Sequence, residues 1–399
     1  MTDPTATLNA FAQTKLADLQ ARSLRRTLIE TGRGPAARAE RDGRALISFC
    51  CNDYLNLSHH PQVKAAAARA VDRWGAGAGA SRLVTGNHPL HGELERRLAR
   101  LKGTDDCVVF GSGYLANLGI VPSLVKRGDL VLADTLSHAC LLAGGALSRA
   151  TVHLFRHNDM AHLADLLAAE RAGHHRCLIL TDGVFSMDGD LAPLPAMARL
   201  AAEHDAWLMV DDAHGIGVVG GGRGSSFAHG QPVPVPLQMG TLSKAVGAYG
   251  GYLCASQPVI DLIRTRARTL IYSTGLPPAT VAAGIAAVDL IAGDADLCAR
   301  PVAKARLFTR ALGLPEAASP IVPLILGEAA SVLDASAVLE QEGFLVTAIR
   351  PPTVPEGTAR LRFTFTAEHR DADILRLAGV VRDRVLPGQP SATHREHAS

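Results

Sequence analysis

The chain has 399 residues, of which 47% are apolar and 20% charged, enough apolar material for one large domain with a smaller one beside it. The formal net charge is only +2 and no basic or acidic block stands out, so neither nucleic acid nor a membrane surface is an expected partner. The seven cysteines include no C-x-x-C pair, which argues against a disulfide framework and a zinc site, and the lack of signal-peptide and membrane-span patterns indicates the cytoplasm.

The apolar pattern predicts, in chain order, an N-terminal helix, a large α/β domain and a smaller α+β domain. Apolar residues recur with helical spacing between residues 5 and 30. From about residue 100, short apolar runs alternate with helical stretches, as in a largely parallel sheet. These runs are 107–110, 130–133, 177–181, 207–210, 237–240 and 251–255. Later elements are helices near 300–312 and 329–342 and strands at 321–326 and 360–365.

The resulting domain prediction has four parts. Residues 1–50 form the N-terminal helix and arm, and residues 51–285 form the large domain. Residues 286–387 form the small C-terminal domain, and the polar stretch 388–399 is predicted to be a disordered tail.

Polar residues follow the apolar runs directly, where ligands gather at the carboxyl ends of strands in open α/β sheets. The first run leads into GSGYLANLG (111–119), a turn whose N–H groups could hold a phosphate or could be purely structural. The later runs lead to other polar candidates, namely His138, Ser186, Asp188, Asp211, Asp212, His214 and Lys244.

Three of these features together match the chemistry of pyridoxal phosphate. A lysine amine such as Lys244 suits Schiff-base formation, and an aspartate such as Asp211 suits a protonated pyridine nitrogen. The turn at 111–119 would anchor the phosphate group. Because a buried carboxylate is costly without compensation, a pyridinium partner would also explain why a buried strand ends at Asp211.

A dinucleotide-binding site is the rival interpretation, since Gly215, Gly217 and Gly220 match the spacing G-x-G-x-x-G. However, four residues separate the strand from these glycines, and GGGRG (220–224) stands where a helix should begin. No acidic residue ends a strand about 20 residues further on. The pattern therefore disfavours a nicotinamide cofactor.

A larger set of motifs spans roughly residues 20–385. The motifs are CNDYLNLSHHP (51–61), ASRLVTGNHPLHGELE (80–95), GSGYLAN (111–117), LSHACLL (136–142), GVFSMDGD (183–190), VDDAHGIGV (210–218), TLSKAVG (241–247), IYSTGLPP (271–278) and AIRPPTVPEGTARLRFTFT (348–366). With them the chain resembles the α-oxoamine synthases, which are fold-type I pyridoxal phosphate enzymes. The resemblance implies an α/β fold with a mostly parallel seven-stranded sheet in the large domain and a smaller C-terminal α+β domain.

The same resemblance implies roles for individual residues. Lys244 would carry the cofactor as a Schiff base, Asp211 would keep its ring nitrogen protonated, His214 would bond its phenolic oxygen, and His138 would stack on the ring and face the substrate. Further cofactor contacts are implied at Gly113, Tyr114, Ser186, Thr241 and, in the neighbouring subunit of a homodimer with shared sites, Thr274. Substrate contacts are implied at Asn52 and Arg362 for an amino-acid carboxylate, and at Arg25, Arg350 and Thr353 for an acyl group.

Two motifs, SRLVTGNHPLH and AIRPPTVP, resemble the branch of the family that condenses L-alanine with a pimeloyl thioester in biotin biosynthesis. The carrier of the thioester would be coenzyme A or a carrier protein. One alternative is another α-oxoamine synthase that takes glycine or serine with a different acyl-CoA. A second alternative is a catalytically silent scaffold of the same fold, against which intact Lys244, Asp211, His214 and His138 argue.

Overall fold

The computed structural model describes residues 4–387, so the tail predicted at 388–399 lies outside the described residues. The helices are α1 (Pro4–Ala21), α2 (Pro61–Trp74), α3 (Pro89–Lys102), α4 (Gly113–Leu124), α5 (Ala139–Ser148), α6 (Met160–Glu170), α7 (Leu194–Glu203), α8 (Gln257–Arg266), α9 (Arg268–Ile271), α10 (Pro278–Gly293), α11 (Ala295–Leu312), α12 (Ala329–Gln341) and α13 (Asp371–Val380). The strands are β1 (Gly32–Arg33), β2 (Arg38–Arg41), β3 (Arg44–Ser48), β4 (Asp106–Phe110), β5 (Leu130–Asp134), β6 (Thr151–Phe155), β7 (Cys177–Asp182), β8 (Trp207–Asp211), β9 (Leu237–Thr241), β10 (Gly251–Ala255), β11 (Ile321–Gly327), β12 (Phe344–Leu345), β13 (Thr347–Ile349) and β14 (Ala359–Thr364).

The large domain is built on a seven-stranded sheet in the order β4-β10-β9-β8-β7-β5-β6. Only β10 runs antiparallel to its neighbours, and the other pairs in this sheet are parallel. This confirms the predicted mostly parallel sheet. All six predicted runs are strands of it, while β6 was not predicted. As the edge strand, β6 leaves Val152 and Leu154 exposed, so it lacks the continuous apolar run of a strand covered on both faces.

Helices cover both faces of this sheet. Alternate residues of β4 point in opposite directions, as the period of a strand requires. Val109 packs with Leu98 of α3 on one face, whereas Val108 and Phe110 pack with Ile120 of α4 on the other. The strands are therefore held in a fixed register, and the loops at their carboxyl ends are held close together.

The smaller C-terminal unit has a three-stranded antiparallel sheet in the order β11-β14-β13. Phe308 of α11 packs against Phe363 and Phe365, and Phe49 of the N-terminal arm joins the same core. The strand pair β2–β3 is extended by β12, which runs parallel to β3. The segment that leads to Asn52 is thus anchored on the C-terminal unit.

The N-terminal helix ends earlier than the sequence predicted. The helical spacing extended to about residue 30, but α1 ends at Ala21 and has no buried residue. Arg25, expected on this helix, lies in the irregular segment that follows it. The apolar residues of α1 are not buried against any other part of the described chain, so their helical spacing did not predict where the helix ends. None of the helices in the described residues is long and apolar enough to cross a membrane.

A buried ion pair holds the loop that follows β8. Lys102 Nζ lies 2.7 Å from Asp212 Oδ2 and 2.6 Å from the Arg223 carbonyl oxygen, with both charged side chains almost fully buried. Asp212 also accepts the Ser225 N–H, and a Cβ at Gly224 would come within 1.7 Å of Asp212 Oδ2. Asp212 therefore has a cation in direct contact and serves the backbone of this loop, whereas its neighbour Asp211 forms no ion pair with any residue of 4–387.

Candidate active site

The loops at the carboxyl ends of the sheet enclose a cavity of about 210 Å³, which we call the lysine cavity. Its walls come from the ends of β7, β8 and β9, from the loops after β8 and β9, and from the N-caps and first residues of α4 and α5. The lining residues are Ser112, Gly113, Tyr114, His138, Cys140, Asp182, Asp211, Ala213, His214, Met239, Thr241, Ser243 and Lys244. Seven residues that the sequence predicted for the cofactor site are thus brought together in one place.

Lys244 begins a chain of hydrogen bonds that leads out of the cavity. Its Nζ lies 2.8 Å from His214 Nε2, and His214 Nδ1 lies 2.7 Å from the Tyr54 hydroxyl. Burial lowers the pKa of Lys244 from 10.5 to about 8, although the charge of Asp211 acts in the opposite direction. Burial, reinforced by the charges of Lys244 and Arg362, also holds the pKa of His214 well below 6.5. The pair therefore supplies an amine that is readily neutral beside a neutral imidazole.

Asp211 is the charged group at the floor of the lysine cavity. Its Oδ2 accepts a 2.7 Å hydrogen bond from Asn117 Nδ2, and its Oδ1 accepts one from the Ala213 N–H. Asp182 lies beside it in the β7–β8 ladder. Burial, and then the charge of Asp211, raises the pKa of Asp182 well above 3.8. Burial therefore favours the neutral form of Asp182.

The N-terminus of α4 forms another wall of the lysine cavity. The Ser112 hydroxyl caps the helix by accepting the Leu115 N–H at 3.1 Å. Within the described part of the chain, the N–H groups of Gly113 and Tyr114 have no hydrogen-bond partner. Gly113 lies tightly against β9, where an added Cβ would meet Thr241 at 3.3 Å. Two free donors at a helix N-terminus favour an anion at this wall.

Arg362, on β14, reaches across from the C-terminal unit to the same site. It is only 5% exposed, and its Nη1 and Nη2 lie 3.1 Å from Asn52 Oδ1 and 3.4 Å from the Tyr54 hydroxyl. Its Nε donates to the Ser186 carbonyl. Among residues 4–387 it forms no ion pair with a carboxylate, whereas Arg360 on the same strand pairs with Asp188. A buried guanidinium without an anion favours a carboxylate from a bound molecule.

A second cavity of about 950 Å³, the wide cavity, shares His138 with the lysine cavity. Its walls come from the end of α1 and the segment after it, from the β5–α5 connection with the first turn of α5, and from the loops at 186–188 and 351–356. The lining residues are Leu19, Arg22, Leu24, Arg26, Thr135, Leu136, Ser137, His138, Ala139, Leu142, Ser186, Met187, Asp188, Pro351, Pro352, Thr353, Val354, Pro355 and Glu356. A cavity of this volume with largely apolar walls suits a flexible acyl chain.

A third cavity of about 730 Å³, the arginine cavity, adjoins the wide cavity at Arg26 and Thr353. It contains Arg25 and Arg350, two of the predicted acyl contacts. Arg26 is bound to the Thr353 hydroxyl at 2.9 Å, and Arg350 donates to the Ser23 carbonyl. The Arg25 guanidinium has no hydrogen bond or ion pair with any other described residue.

Two predicted cofactor contacts lie outside the lysine cavity. Ser186 lines the wide cavity instead, and its carbonyl holds Arg362. Thr274 forms an isolated bridge with Ser81 at another part of the surface. The cofactor contacts expected of Ser186 and Thr274 therefore stay predictions.

Sequence reasoning missed four residues that shape the site, namely Tyr54, Asn117, Cys140 and Asp182. All four lie within or next to the quoted motifs. Asp182 could have been found, because it ends a predicted strand as Asp211 does. Tyr54 and Asn117 act through partners far away in the chain, for which sequence alone contains no signal. Cys140 lies two residues after His138, but no motif of the sequence indicates that its thiol faces the histidine ring.

Comparisons with known proteins were consistent with this geometry. The model of the family "Aminotransferase class I and II" matches residues 44–381. The chain belongs to this family. It is 71% identical to a putative 8-amino-7-oxononanoate synthase of Parvibaculum lavamentivorans over 95% of this chain and 98% of that protein. It is 63% identical to the 8-amino-7-oxononanoate synthase of Beijerinckia indica over 94% and 97% of the two chains.

Solved structures agree with these sequence matches. The serine palmitoyltransferase of Sphingomonas wittichii superposes with a TM-score of 0.87 at 30% identity, covering 95% of this chain and 97% of that one. The 8-amino-7-oxononanoate synthase of Francisella tularensis superposes with a TM-score of 0.72 at 26% identity, covering 84% and 96%. Another matching serine palmitoyltransferase structure contains bound pyridoxal phosphate. The predicted resemblance to the α-oxoamine synthases is confirmed.

The lowered pKa of Lys244 gives a direct prediction. Because only a neutral amine attacks an aldehyde, reductive methylation of Lys244 in the cofactor-free protein should reach half of its maximal rate near pH 8. Peptide mass spectrometry after brief treatment with formaldehyde and cyanoborohydride measures this rate at each pH. A half-maximal rate near pH 10.5, the ordinary lysine value, would contradict the burial of this amine.

Proposed function

We propose that this chain condenses L-alanine with a pimeloyl thioester to give 8-amino-7-oxononanoate, carbon dioxide and a free thiol, a step of biotin biosynthesis. The observation that carries the proposal is the lysine cavity, where an amine, a buried carboxylate and a helix N-terminus face one space beside a wide acyl-sized cavity. The high identity to relatives that bear the name of this reaction supports the choice of substrates.

The residues of the lysine cavity fit pyridoxal phosphate. Lys244 would hold its aldehyde carbon, Asp211 would pair with its ring nitrogen, and the N–H groups of Gly113 and Tyr114 would bind its phosphate. The hydroxyl oxygens of Thr241 and Ser243, 2.7 Å apart, line the same cavity and would offer further hydrogen bonds to the phosphate. When bound, this cofactor would act as an electron sink, because it would accept the electron pair that is released when a C–H or C–C bond at the carbon next to an amine breaks.

Lys244 is the group that moves the proton at the α-carbon of alanine. An amine with a pKa of about 8 is partly neutral near physiological pH, and its neutral form can accept this proton. His214 touches Nζ at 2.8 Å and stays neutral, so it orients the amine without adding a charge. The same amine can later return the proton to the product carbon.

Asp211 supplies the fixed negative charge that the electron sink requires. Its two oxygens are held by Asn117 and by the Ala213 N–H, so the carboxylate does not need to reorient during the reaction. Because burial favours the neutral form of Asp182 beside it, Asp211 rather than Asp182 would pair with a protonated ring nitrogen.

Arg362 and Asn52 are the expected contacts for the carboxylate of alanine. Arg362 is buried and lacks an acidic partner in the described chain, so an incoming carboxylate would compensate its charge. Asn52 Oδ1 orients the guanidinium from 3.1 Å. This clamp would set which bond of alanine faces Lys244, as bidentate arginine contacts commonly do.

The pimeloyl chain would extend from His138 through the wide cavity toward the arginine cavity. There Arg25 is the cation without another described partner, since Arg26 and Arg350 are already engaged. The free carboxylate at the end of the pimeloyl chain needs such a cation. The thiol carrier, coenzyme A or a carrier protein, would lie outside these walls.

A homodimer with shared active sites is part of the proposal. Thr274 does not reach the lysine cavity of its own chain, although the resemblance implies a contact with a cofactor phosphate. Large apolar side chains near it are exposed, among them Leu83, Val84 and Tyr272. Covering such a surface with a second copy would bring Thr274 to the partner's cofactor.

The reaction itself is tested by incubating the full chain and pyridoxal phosphate with combinations of amino acids and thioesters, followed by mass-resolved detection of products. We expect 8-amino-7-oxononanoate from alanine and a pimeloyl thioester, in stoichiometric amounts with the free thiol. Faster turnover of glycine or serine with a different acyl-CoA would contradict the proposed substrates and favour another α-oxoamine synthase.

Arg25 can be tested against an arginine outside the three cavities. Arg25→Ala should raise the KM for pimeloyl thioester roughly tenfold or more, the effect of one lost charge-assisted contact, and leave the KM for alanine unchanged. Arg199→Ala is the matched control, because Arg199 is exposed on α7, lies near Glu203 and lines none of these cavities; its KM values should change less than about threefold. Steady-state kinetics measures both. A larger effect from Arg199→Ala would contradict the assignment.

A further inference from the structure

Cys140 is a buried residue of the lysine cavity that the proposed reaction does not use. It is the second residue of α5 and is 2% exposed. Its Sγ lies 2.7 Å from His138 Nδ1 and 3.0 Å from Asn117 Nδ2. Asn117 Nδ2 also lies 2.7 Å from Asp211 Oδ2. The thiol therefore stands between the carboxylate that would hold the ring nitrogen and the histidine that would stack on the ring.

The direction of each hydrogen bond in this row follows from the groups that form it. The Asp211 carboxylate accepts, so Asn117 must present its amide N–H₂ group there rather than its oxygen. The second N–H of that group is donated to the Cys140 sulfur. Cys140 then has its own S–H left to donate, and His138 Nδ1 is the acceptor within reach.

Two further observations support this direction. Burial raises the pKa of Cys140 to about 12, so the thiol keeps its proton at neutral pH. Desolvation lowers the pKa of His138, and the charge of Lys244 lowers it further while Asp211 opposes, so the ring is neutral and one nitrogen can accept. The Cys140 backbone N–H approaches the same Nδ1 at 3.3 Å. Both donors of Cys140 therefore point at one nitrogen.

We propose that Cys140 is a positioning residue that fixes His138 in the tautomer with its proton on Nε2 and ties the ring to Asp211 through Asn117. His138 lines both the lysine cavity and the wide cavity, and Nε2 has no hydrogen bond to any other described residue. With the proton held on Nε2, the ring offers an N–H donor where the two cavities meet. The expected effect of Cys140 on turnover rests on the proposed function, whereas the expected tautomer of His138 does not.

The test reads the ring nitrogens directly. Long-range ¹H–¹⁵N NMR on the full chain labelled with [¹⁵N]histidine, with and without pyridoxal phosphate, distinguishes a protonated from an unprotonated ring nitrogen. His138→Gln identifies the His138 signals. We expect protonated Nε2 and unprotonated Nδ1 in the parent protein. Cys140→Ala and Cys140→Val both remove the S–H donor and leave only the backbone N–H, 3.3 Å from Nδ1; Val keeps most of the volume. Either should shift the two nitrogen signals of His138 toward each other, because the shorter of the two contacts is lost, while Cys140→Ser should keep the parent pattern.

Kinetics adds a second readout. In Cys140→Ala, kcat should fall roughly tenfold, as expected for one lost hydrogen bond in the site, with KM for alanine unchanged and recovery in Cys140→Ser. Cys177→Ala is the matched control, because Cys177 is an equally buried cysteine at the far end of β7, and it should leave both the nitrogen pattern and kcat unchanged.

A proton on Nδ1 in the parent protein would overturn the inference, and so would a parent-like pattern in both variants that lack the thiol. The nitrogen signals are read without substrates. If 8-amino-7-oxononanoate is not formed but the predicted pattern and its loss are seen, the proposed reaction fails while the role of Cys140 stands.

Discussion

The buried carboxylate of Asp211, which forms no ion pair within the described chain, is the constraint on which the rest of the site depends. It ends a buried strand, is 4% exposed and receives two hydrogen bonds, while the charge of Lys244 acts on it only from a distance. Its neighbour Asp212 shows the contrast, because Lys102 neutralises it within the fold. A buried charge that the protein does not neutralise is tolerated when a bound group does so. The lysine cavity above Asp211 is where such a group would lie.

The sheet brings the remaining chemistry to this carboxylate. In a parallel sheet the ends of neighbouring strands lie side by side, so β7, β8 and β9 place Asp182, Asp211 and Thr241 within one wall. Lys244 follows three residues after β9 ends. Across the cleft, β14 of the C-terminal unit contributes Arg362, and the Tyr54 hydroxyl links it to His214 and Lys244. Arg362, Tyr54, His214 and Lys244 are far apart in sequence, yet the fold connects them through consecutive hydrogen bonds.

Much of this arrangement could be predicted from the sequence, because it depends on local patterns. Apolar runs that end in Asp211 or lead to Lys244 indicate strand ends, and the motifs identify the family. The edge strand β6 and the end of α1 could not be predicted in the same way. Their side chains are exposed within the chain, so the apolar pattern that marks a covered element is weak or misleading there.

Contacts between distant segments were also beyond the sequence. Tyr54 and His214 are 160 residues apart, and Asn117 and Asp211 are 94 apart, yet each pair shares a hydrogen bond of 2.7 Å. The surroundings of Arg25 were equally hard to predict from sequence, because they depend on how the segment after α1 packs on the loop around Thr353. Patterns along the chain specify which element a residue belongs to, while its partners follow from tertiary packing.

The most direct measurement of this account is the exchange of the alanine α-proton with deuterated solvent, followed by NMR at saturating pyridoxal phosphate for the parent protein and Asp211→Asn. Asparagine keeps the shape and loses the charge. If Asp211 exists to stabilise a protonated ring nitrogen, exchange should slow roughly 100-fold or more while the melting temperature stays close to that of the parent. Exchange at the parental rate would show that the carboxylate is only a structural end of β8, and would contradict the central claim.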